Sequence, residues 1–281
     1  MTYSHHTGHD IDLGSPLAGA LDRLLGPLRA HRFGHDDSAF ENDDINDDVL
    51  AAYRQQAVEL HDRFVHDHDV FVVEFLGSTG SGKTSLIEVL LDEREDDVGV
   101  IVGDVAGEDD ARRLRHHGAT VATVNTGREC HLDQSFIEAG LEQLDPAALD
   151  TLFIENVGNM VCPADVPLGA QARILVVSTT EGDDVVRKHP LLVQAADAAV
   201  INKTDLAEAV DVSVDRMVAD AAEVDPSLPV FPTSVKRATG LDPVFAYLDA
   251  VEERGHAPHE TTANPITPSQ AGAPGLGPDG E

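Results

Sequence analysis

Residues 77–84 decide the fold of this chain, and they read Gly77-Ser-Thr-Gly-Ser-Gly-Lys83-Thr84. They follow an apolar run, Val70–Leu76, that predicts a strand, and they open a helical pattern at Lys83–Asp92. This is the pattern of a phosphate-binding loop, in which glycines let successive backbone N–H groups curl around phosphates at a helix N-terminus. Lys83 is expected to reach the β and γ phosphates, and the Thr84 hydroxyl to bind Mg²⁺. The other phosphate-binding candidates are Gly77, Gly80, Gly82 and Ser85.

Around this loop the chain alternates between short apolar runs and helical patterns. The predicted strands are Val70–Leu76, Val98–Gly103, Thr120–Val124, Thr151–Ile154, Ile174–Ser178, Ala199–Ile201 and Pro229–Pro232. The predicted helices are Lys83–Asp92, Asp109–His117, Leu132–Gln143, Asp211–Ala222 and Leu241–Glu253, with an amphipathic helix at Asp47–His68 before them and a short helix at Leu17–Leu28. Continuously apolar strands are typical of a parallel sheet covered on both faces. The sequence therefore predicts an α/β fold with a doubly wound, mostly parallel sheet.

A second motif, Asn202-Lys203-Thr204-Asp205, follows a predicted strand and indicates which base is bound. The Asp205 carboxylate can accept hydrogen bonds from guanine N1–H and the 2-amino group, and adenine would leave that charge unpaired. Lys203 is expected to lie along the base plane, and Asn202 to tie this loop to the phosphate-binding loop. Ser234 and Lys236, after the next strand, are candidates for a third side of the base pocket. The pair of motifs favours GTP over ATP.

Two further segments are placed to sense the γ-phosphate. Gly103-Asp104 lies at the end of the second predicted strand, and Glu155-Asn156-Val157-Gly158 follows the fourth. A carboxylate at the tip of a strand facing the loop can hold Mg²⁺ or orient the attacking water, so Asp104 and Glu155 join Lys83 as catalytic candidates. The Gly158 N–H is a candidate for a hydrogen bond that senses the γ-phosphate. Alternatively, Asp104 caps a turn and Glu155 is a solvated strand end.

The two cysteines lie beside these segments. Cys130 is followed by His131, and Cys162 precedes a proline. A lone free cysteine is most often a small buried hydrophobe. Two thiolates and an imidazole nevertheless suit Zn²⁺ or Ni²⁺, and they are one ligand short of four. The pattern therefore favours a metal site at Cys130, His131 and Cys162, and a dimer that pools ligands from two subunits would complete it.

The formal net charge of −32 excludes some partners. Nucleic acid and anionic membranes repel such a surface, and no apolar run reaches the length of a membrane span. A disordered acidic protein and a folded protein of a high-salt cytoplasm both fit this charge, but carboxylates interspersed with periodic apolar segments favour the second. The chain start also lacks the pattern of a signal peptide, so a cytoplasmic, halophilic protein is expected.

These motifs resemble the GTPases that deliver nickel during hydrogenase maturation. The resemblance spans about residues 47–253 and is most specific in Cys130-His131-Leu132-Asp133 and in Glu155–Ala164. It implies a P-loop fold of the dimerising, metal-chaperone class, with nickel or zinc bound near Cys130, His131 and Cys162 at a GTP- or metal-dependent homodimer interface. It also implies GTP hydrolysis with slow turnover, a client apo-hydrogenase and a small nickel-binding accessory protein as partners.

Three segments are expected: a flexible His- and Asp-rich extension at 1–45, the GTPase domain at 46–254, and a disordered Pro- and Gly-rich tail at 255–281. Some family members carry a cysteine- or histidine-rich nickel motif at their start, whereas this chain has only sparse histidines there. His5, His6 and His9 are either a low-affinity metal tether or part of a solvated tail. The rival functions are a urease-accessory nickel GTPase, which would typically carry Cys-Pro-His, and a metal-storage or scaffold protein with a vestigial GTPase.

Overall fold

The computed structural model describes residues 43–104, 109–127 and 129–255, with side chains from Val49 onward and without that of Asp104. The expected helix at Leu17–Leu28 and the histidines at the chain start lie outside these residues. The elements in chain order are α1 (Asp43–His61), a π-helical turn (Asp62–Asp67), β1 (Phe71–Leu76), α2 (Lys83–Glu93), β2 (Val98–Asp104), α3 (Asp109–His116), β3 (Thr120–Asn125), α4 (Gln134–Leu141), β4 (Thr151–Glu155), β5 (Ala172–Ser178), α5 (Val185–Lys188), α6 (Pro190–Ala195), β6 (Ala198–Asn202), α7 (Val214–Val224), β7 (Val230–Pro232) and α8 (Asp242–Gly255). Short 3₁₀ turns lie at Pro146–Ala148, Cys162–Ala164, Thr179–Glu181, Thr204–Leu206 and Val235–Arg237.

The seven strands form one sheet in the order β3-β2-β4-β1-β5-β6-β7, and every pairing between neighbours is parallel. The chain continues from β1 in both directions along the sheet, so the carboxyl ends of β1, β4 and β5 surround a topological switch point. Ligands of open α/β sheets bind in this crevice. The predicted doubly wound parallel sheet is confirmed.

Apolar side chains of alternate strand residues cover the two faces of the sheet. On one face Phe71, Val73 and Phe75 of β1 pack with side chains of α2, α3 and α8. On the other face Val70 and Val72 pack with side chains of α1, α4 and the π-helical turn, while α5, α6 and α7 close the core over β5 and β6. This alternation places neighbouring residues of one strand on opposite sides of the sheet. In the part of the chain that is described, no helix is long and apolar enough to cross a membrane.

All seven predicted strands and the five predicted core helices are present, with ends that differ by a few residues at most. Helices α5 and α6 were not predicted, because four and six residues are too short for a periodic apolar stripe. The helix expected at Asp47–His68 begins earlier, at Asp43, and its last turn is π-helical. The domain bounds at 45 and 254 stay predictions.

Candidate nucleotide and metal site

The loop between β1 and α2 needs its glycines for conformational and for steric reasons. Gly77, Gly80 and Gly82 have φ of +135°, +80° and +106°, values that side chains rarely adopt. A Cβ on Gly77 would lie 2.1 Å from the carbonyl oxygen of Val176, and one on Gly82 would lie 2.2 Å from Nδ2 of Asn202. The loop is therefore packed tightly against β5 and against the last residue of β6.

Two side chains at the start of α2 point into this loop. Lys83 Nζ donates to the carbonyl oxygens of Gly77 and Ser78, each at 3.1 Å. Burial lowers the pKa of Lys83, and the nearby Glu155 carboxylate opposes that effect. The Thr84 hydroxyl donates to Glu155 Oε1 at 2.7 Å. The sequence-predicted phosphate-binding lysine and metal-binding threonine thus lie beside the carboxylate at the end of β4.

Glu155 is buried, with 6% of the residue exposed, so the alternative of a solvated strand end is wrong. Burial raises the pKa of its carboxyl to about 7, against the opposing effects of Lys83 and Thr84. Its second oxygen, Oε2, has no hydrogen-bond partner among the described residues. A buried carboxylate oxygen without a partner, next to a threonine hydroxyl, is a donor set that fits Mg²⁺. Asp104 ends β2, and its side chain lies outside the described part of the structure.

These groups line a pocket of about 350 Å³. Its walls include Gly80, Gly82, Ser85, Lys203 and, from the loop after β4, Asn156 and Gly158. A Cβ on Gly158 would lie 2.1 Å from Thr79 Oγ1, so this glycine touches the phosphate-binding loop directly. The loop after β4 is therefore in position to contact a molecule bound in the pocket.

Sequence reasoning missed two pocket residues of α3, Asp110 and Arg113. Arg113 donates to the Ser85 hydroxyl at 3.1 Å and pairs with Glu88 at 2.7 Å and with Asp110 at 3.1 Å. Only the packing of α3 against α2 brings these side chains to the pocket. The helical pattern of α3 in the sequence carries no signal for it.

The predicted base-binding residues meet beside the phosphate-binding loop. Asn202 Nδ2 donates to the Ser81 carbonyl at 3.0 Å, and Lys203 Nζ donates to the Gly80 carbonyl. The Ser234 hydroxyl donates to Asp205 Oδ1, while Oδ2 lies 3.7 Å from Nε of Arg237. Arg237 was not predicted. Lys236 lies exposed on the same 3₁₀ turn as Arg237.

The predicted metal ligands also come together. One donor atom each of Cys130, His131 and Cys162 lie within 4.8 Å of one another, and all three residues are half-buried. The two Sγ atoms are 2.7 Å apart, and Cys130 Sγ lies 3.7 Å from His131 Nδ1. The contact with Cys162, more than burial, raises the pKa of the Cys130 thiol. Two separate loops thus converge on a donor set of two sulfurs and one imidazole.

Comparison with known proteins places this geometry in a family. The model of the CobW/HypB/UreG nucleotide-binding domain matches residues 71–232. A Methanocaldococcus jannaschii protein named probable hydrogenase maturation factor HypB is 44% identical over 208 residues, covering 73% of this chain and 94% of that protein. A Helicobacter pylori hydrogenase/urease maturation factor HypB is 37% identical over 202 residues, which is 70% of this chain and 83% of that protein.

Solved structures agree. The fold is similar to HypB from Helicobacter pylori in complex with nickel, with a TM-score of 0.69, 33% identity and coverage of 75% of this chain and 99% of that one. It is likewise similar to HypB from Archaeoglobus fulgidus, with a TM-score of 0.67, 37% identity and coverage of 72% and 99%. The chain belongs to the CobW/HypB/UreG family and, within it, to the HypB hydrogenase maturation factors.

Proposed function

We propose that this protein is a GTP-hydrolysing nickel chaperone that delivers nickel to an apo-hydrogenase during its maturation. One observation carries the proposal: a single loop joins the two sites. It leaves the nucleotide pocket at Glu155 and reaches the cysteine pair at Cys162. A conformational change in the nucleotide pocket would therefore reach the metal ligands through a few residues of backbone.

In the proposed reaction, water attacks the γ-phosphate of GTP to give GDP and phosphate. The backbone N–H groups of residues 77–82 and the N-terminus of α2 would bind the β and γ phosphates. The Lys83 ammonium would exchange its two carbonyl contacts for phosphate oxygens. Most of the acceleration in such reactions comes from positioning and charge stabilisation, so these groups need not react covalently.

The residues at the end of β4 would complete the reacting centre. Thr84 and Glu155 would hold Mg²⁺, with Asp104 as a further candidate, and the ion would neutralise charge developing on the phosphates. A cation beside Glu155 would also favour its ionised form, which burial disfavours. Gly158, against Thr79, would offer its N–H to the γ-phosphate. On the base side Asp205 would accept from guanine, with Lys203 along the ring and Ser234 and Lys236 nearby.

The cargo would bind at Cys130, His131 and Cys162. Sulfur and imidazole donors suit Ni²⁺ and also Zn²⁺, so both ions are candidates for this site. Three ligands are one short of a closed tetrahedral set. A homodimer would supply the missing donor, and GTP or the metal would control its formation. The client apo-hydrogenase and a small nickel-binding accessory protein would exchange nickel with this site.

The charge of the chain suggests where it works. A net charge of −32 is self-repelling in dilute buffer and is screened at high ionic strength, which supports a salt-rich cytoplasm as the location. The same charge argues against nucleic acid and membranes as partners.

A urease-accessory role is the nearest alternative, since three relatives are named for hydrogenase and urease together. A storage protein with a vestigial GTPase is disfavoured because Lys83 still points into the phosphate-binding loop and Thr84 still contacts the Glu155 carboxylate. The deciding experiment measures phosphate release from GTP and from ATP in strong salt, together with nickel binding by the parent and by Cys162→Ala. Release from GTP with nickel bound through Cys162 supports the proposal. GTP left intact would contradict it.

A further inference from the structure

Asn156 stands at the point where β4 leaves the sheet. Its neighbour Glu155 points into the nucleotide pocket towards Thr84, and successive residues of an extended strand point to opposite faces. The Asn156 side chain is accordingly held on the other side, with 1% of the residue exposed. Its Oδ1 accepts from the backbone N–H of Leu132 at 3.2 Å. Leu132 directly follows His131, so this amide touches one of the two metal-binding loops.

The other end of the same amide reaches a buried ion pair. Asn156 Nδ2 donates to Glu74 Oε1 at 2.8 Å, and Glu74 Oε2 accepts from Arg173 Nε at 2.8 Å. Glu74 and Arg173 are direct partners in the β1–β5 register, and their side chains are 0% and 3% exposed. Charges inside a sheet are costly to bury unless they are paired and hydrogen-bonded. This pair meets both conditions, so it holds the groups that it contacts in fixed positions.

The arginine extends this network to the second metal-binding loop. Arg173 Nη2 donates to the carbonyl oxygen of Pro163 at 2.7 Å, and Pro163 directly follows Cys162. The chain of hydrogen bonds thus runs from the loop of Cys130 and His131, through Asn156, Glu74 and Arg173, to the loop of Cys162. Both metal-binding loops are tied to the residue next to Glu155.

We propose that Asn156, with the Glu74–Arg173 pair behind it, is a positioning relay that links the nucleotide state to the arrangement of the metal ligands. The inference rests on the proposed function and deepens it. A displacement of residues 155–158 by the γ-phosphate moves the Asn156 amide, which pulls on Leu132 directly and on Pro163 through the ion pair. The network is buried and its side chains are hydrogen-bonded to one another, so a shift of one member is passed to the next.

The test exchanges donor and acceptor within the pair. Asn156→Asp keeps the acceptor for Leu132 but sets two carboxylates against each other. Glu74→Gln leaves one acceptor oxygen for two donors, Arg173 Nε and Asn156 Nδ2, so one of the two hydrogen bonds is lost. In the double variant Gln Oε1 accepts from Arg173 and its Nε2 donates to the new carboxylate, so the buried charge and the number of hydrogen bonds are restored. The matched control is Glu252→Gln, which breaks the ion pair to Arg94 that joins the end of α2 to α8.

The measurement is the ratio of nickel Kd values in the GDP-bound and GTP-analogue-bound forms, by titration calorimetry in strong salt. Coupling between two sites is typically about 5- to 150-fold. We expect the parent and Glu252→Gln to show the same ratio, Asn156→Asp to bring it to about one, and the double variant to restore it within about twofold. Thermal melts identify any variant that fails to fold. If Asn156→Asp is among them, the test becomes a comparison of the ratio in Glu74→Gln with the ratio in the double variant.

A merely structural role would weaken nickel binding equally in both nucleotide states and leave the ratio unchanged. The relay is overturned if folded Asn156→Asp keeps an undiminished ratio of nickel Kd values. It is also overturned if the double variant stays uncoupled. A parent ratio of one overturns it as well. The proposed function fails separately, on the absence of GTP hydrolysis or of nickel binding through Cys162.

Discussion

Replacing Asp205 by Asn tests the assignment of guanine to the pocket. The carboxylate is 16% exposed, Ser234 donates to Oδ1, and Oδ2 remains available to the base beside Arg237. In the variant an NH₂ group faces the guanine donors where Oδ2 stood, and the remaining hydrogen bond loses its charge. Hydrogen bonds to charged groups contribute about 1.5–3 kcal/mol each. Because the group is partly exposed, we expect a loss of about 3 kcal/mol, which is about 150-fold in Kd.

The assay is titration calorimetry of GDP and of xanthosine diphosphate, run in strong salt. Xanthine has a carbonyl where guanine has its 2-amino group, so the variant should prefer xanthosine diphosphate to GDP. Asp215→Asn, an exposed position on α7, changes the net charge equally and should leave GDP affinity unchanged. Undiminished GDP binding by Asp205→Asn would refute the guanine assignment.

Four further perturbations test other parts of the account. Gly158→Ala should weaken GTP-analogue binding more than GDP binding, measured by calorimetry, because its Cβ would lie 2.1 Å from Thr79 Oγ1; equal binding would place Gly158 outside the γ-phosphate site. The pKa of Glu155 is raised to about 7 from 4.5, so the native nucleotide-free protein holds this proton more tightly than the unfolded chain, and the contribution of this carboxyl to stability should fall as pH rises from 4.5 to 7. Glu155→Gln should therefore gain up to about 3 kcal/mol over the parent in melts above pH 7 and little near pH 5, whereas a pH-independent difference would contradict the raised pKa. Cys162→Ala should weaken nickel binding at least about tenfold and leave GDP affinity intact, while loss of both would indicate a folding defect. Finally, the melting temperature should rise steeply between dilute buffer and molar KCl, and a salt-independent melt would contradict screening of the −32 charge.

Local sequence patterns carried most of the fold. The strands are recognisable because continuous apolar runs such as Val98–Gly103 suit only a sheet covered on both sides, and the glycine spacing at 77–82 fixes the turn after β1. The order of strands in the sheet is set by long-range packing, and the periodicity of each segment does not contain it. Short helices such as α5 escaped prediction for a related reason, since four residues show no periodicity.

Site residues were predictable where residue types suited to one chemical role occur at a motif's spacing within one short segment. Lys83, Glu155 and Cys162 all belong to such segments, and the structure places them at the nucleotide pocket and the cysteine cluster. Arg113 and Arg237 were missed because each contacts a predicted residue that lies far from it in sequence. Glu74 and Arg173 are separated by 99 residues, and only the pairing of β1 with β5 joins them.

The most direct test of the central claim is titration of nickel into the parent protein in its two nucleotide states. Because binding free energies couple reciprocally, the factor by which the GTP analogue alters nickel affinity must equal the factor by which nickel alters affinity for the analogue relative to GDP. We predict Kd values that differ between the GDP and GTP-analogue forms by about 5- to 150-fold. Equal nickel affinities in both forms would contradict a chaperone whose metal site responds to its nucleotide.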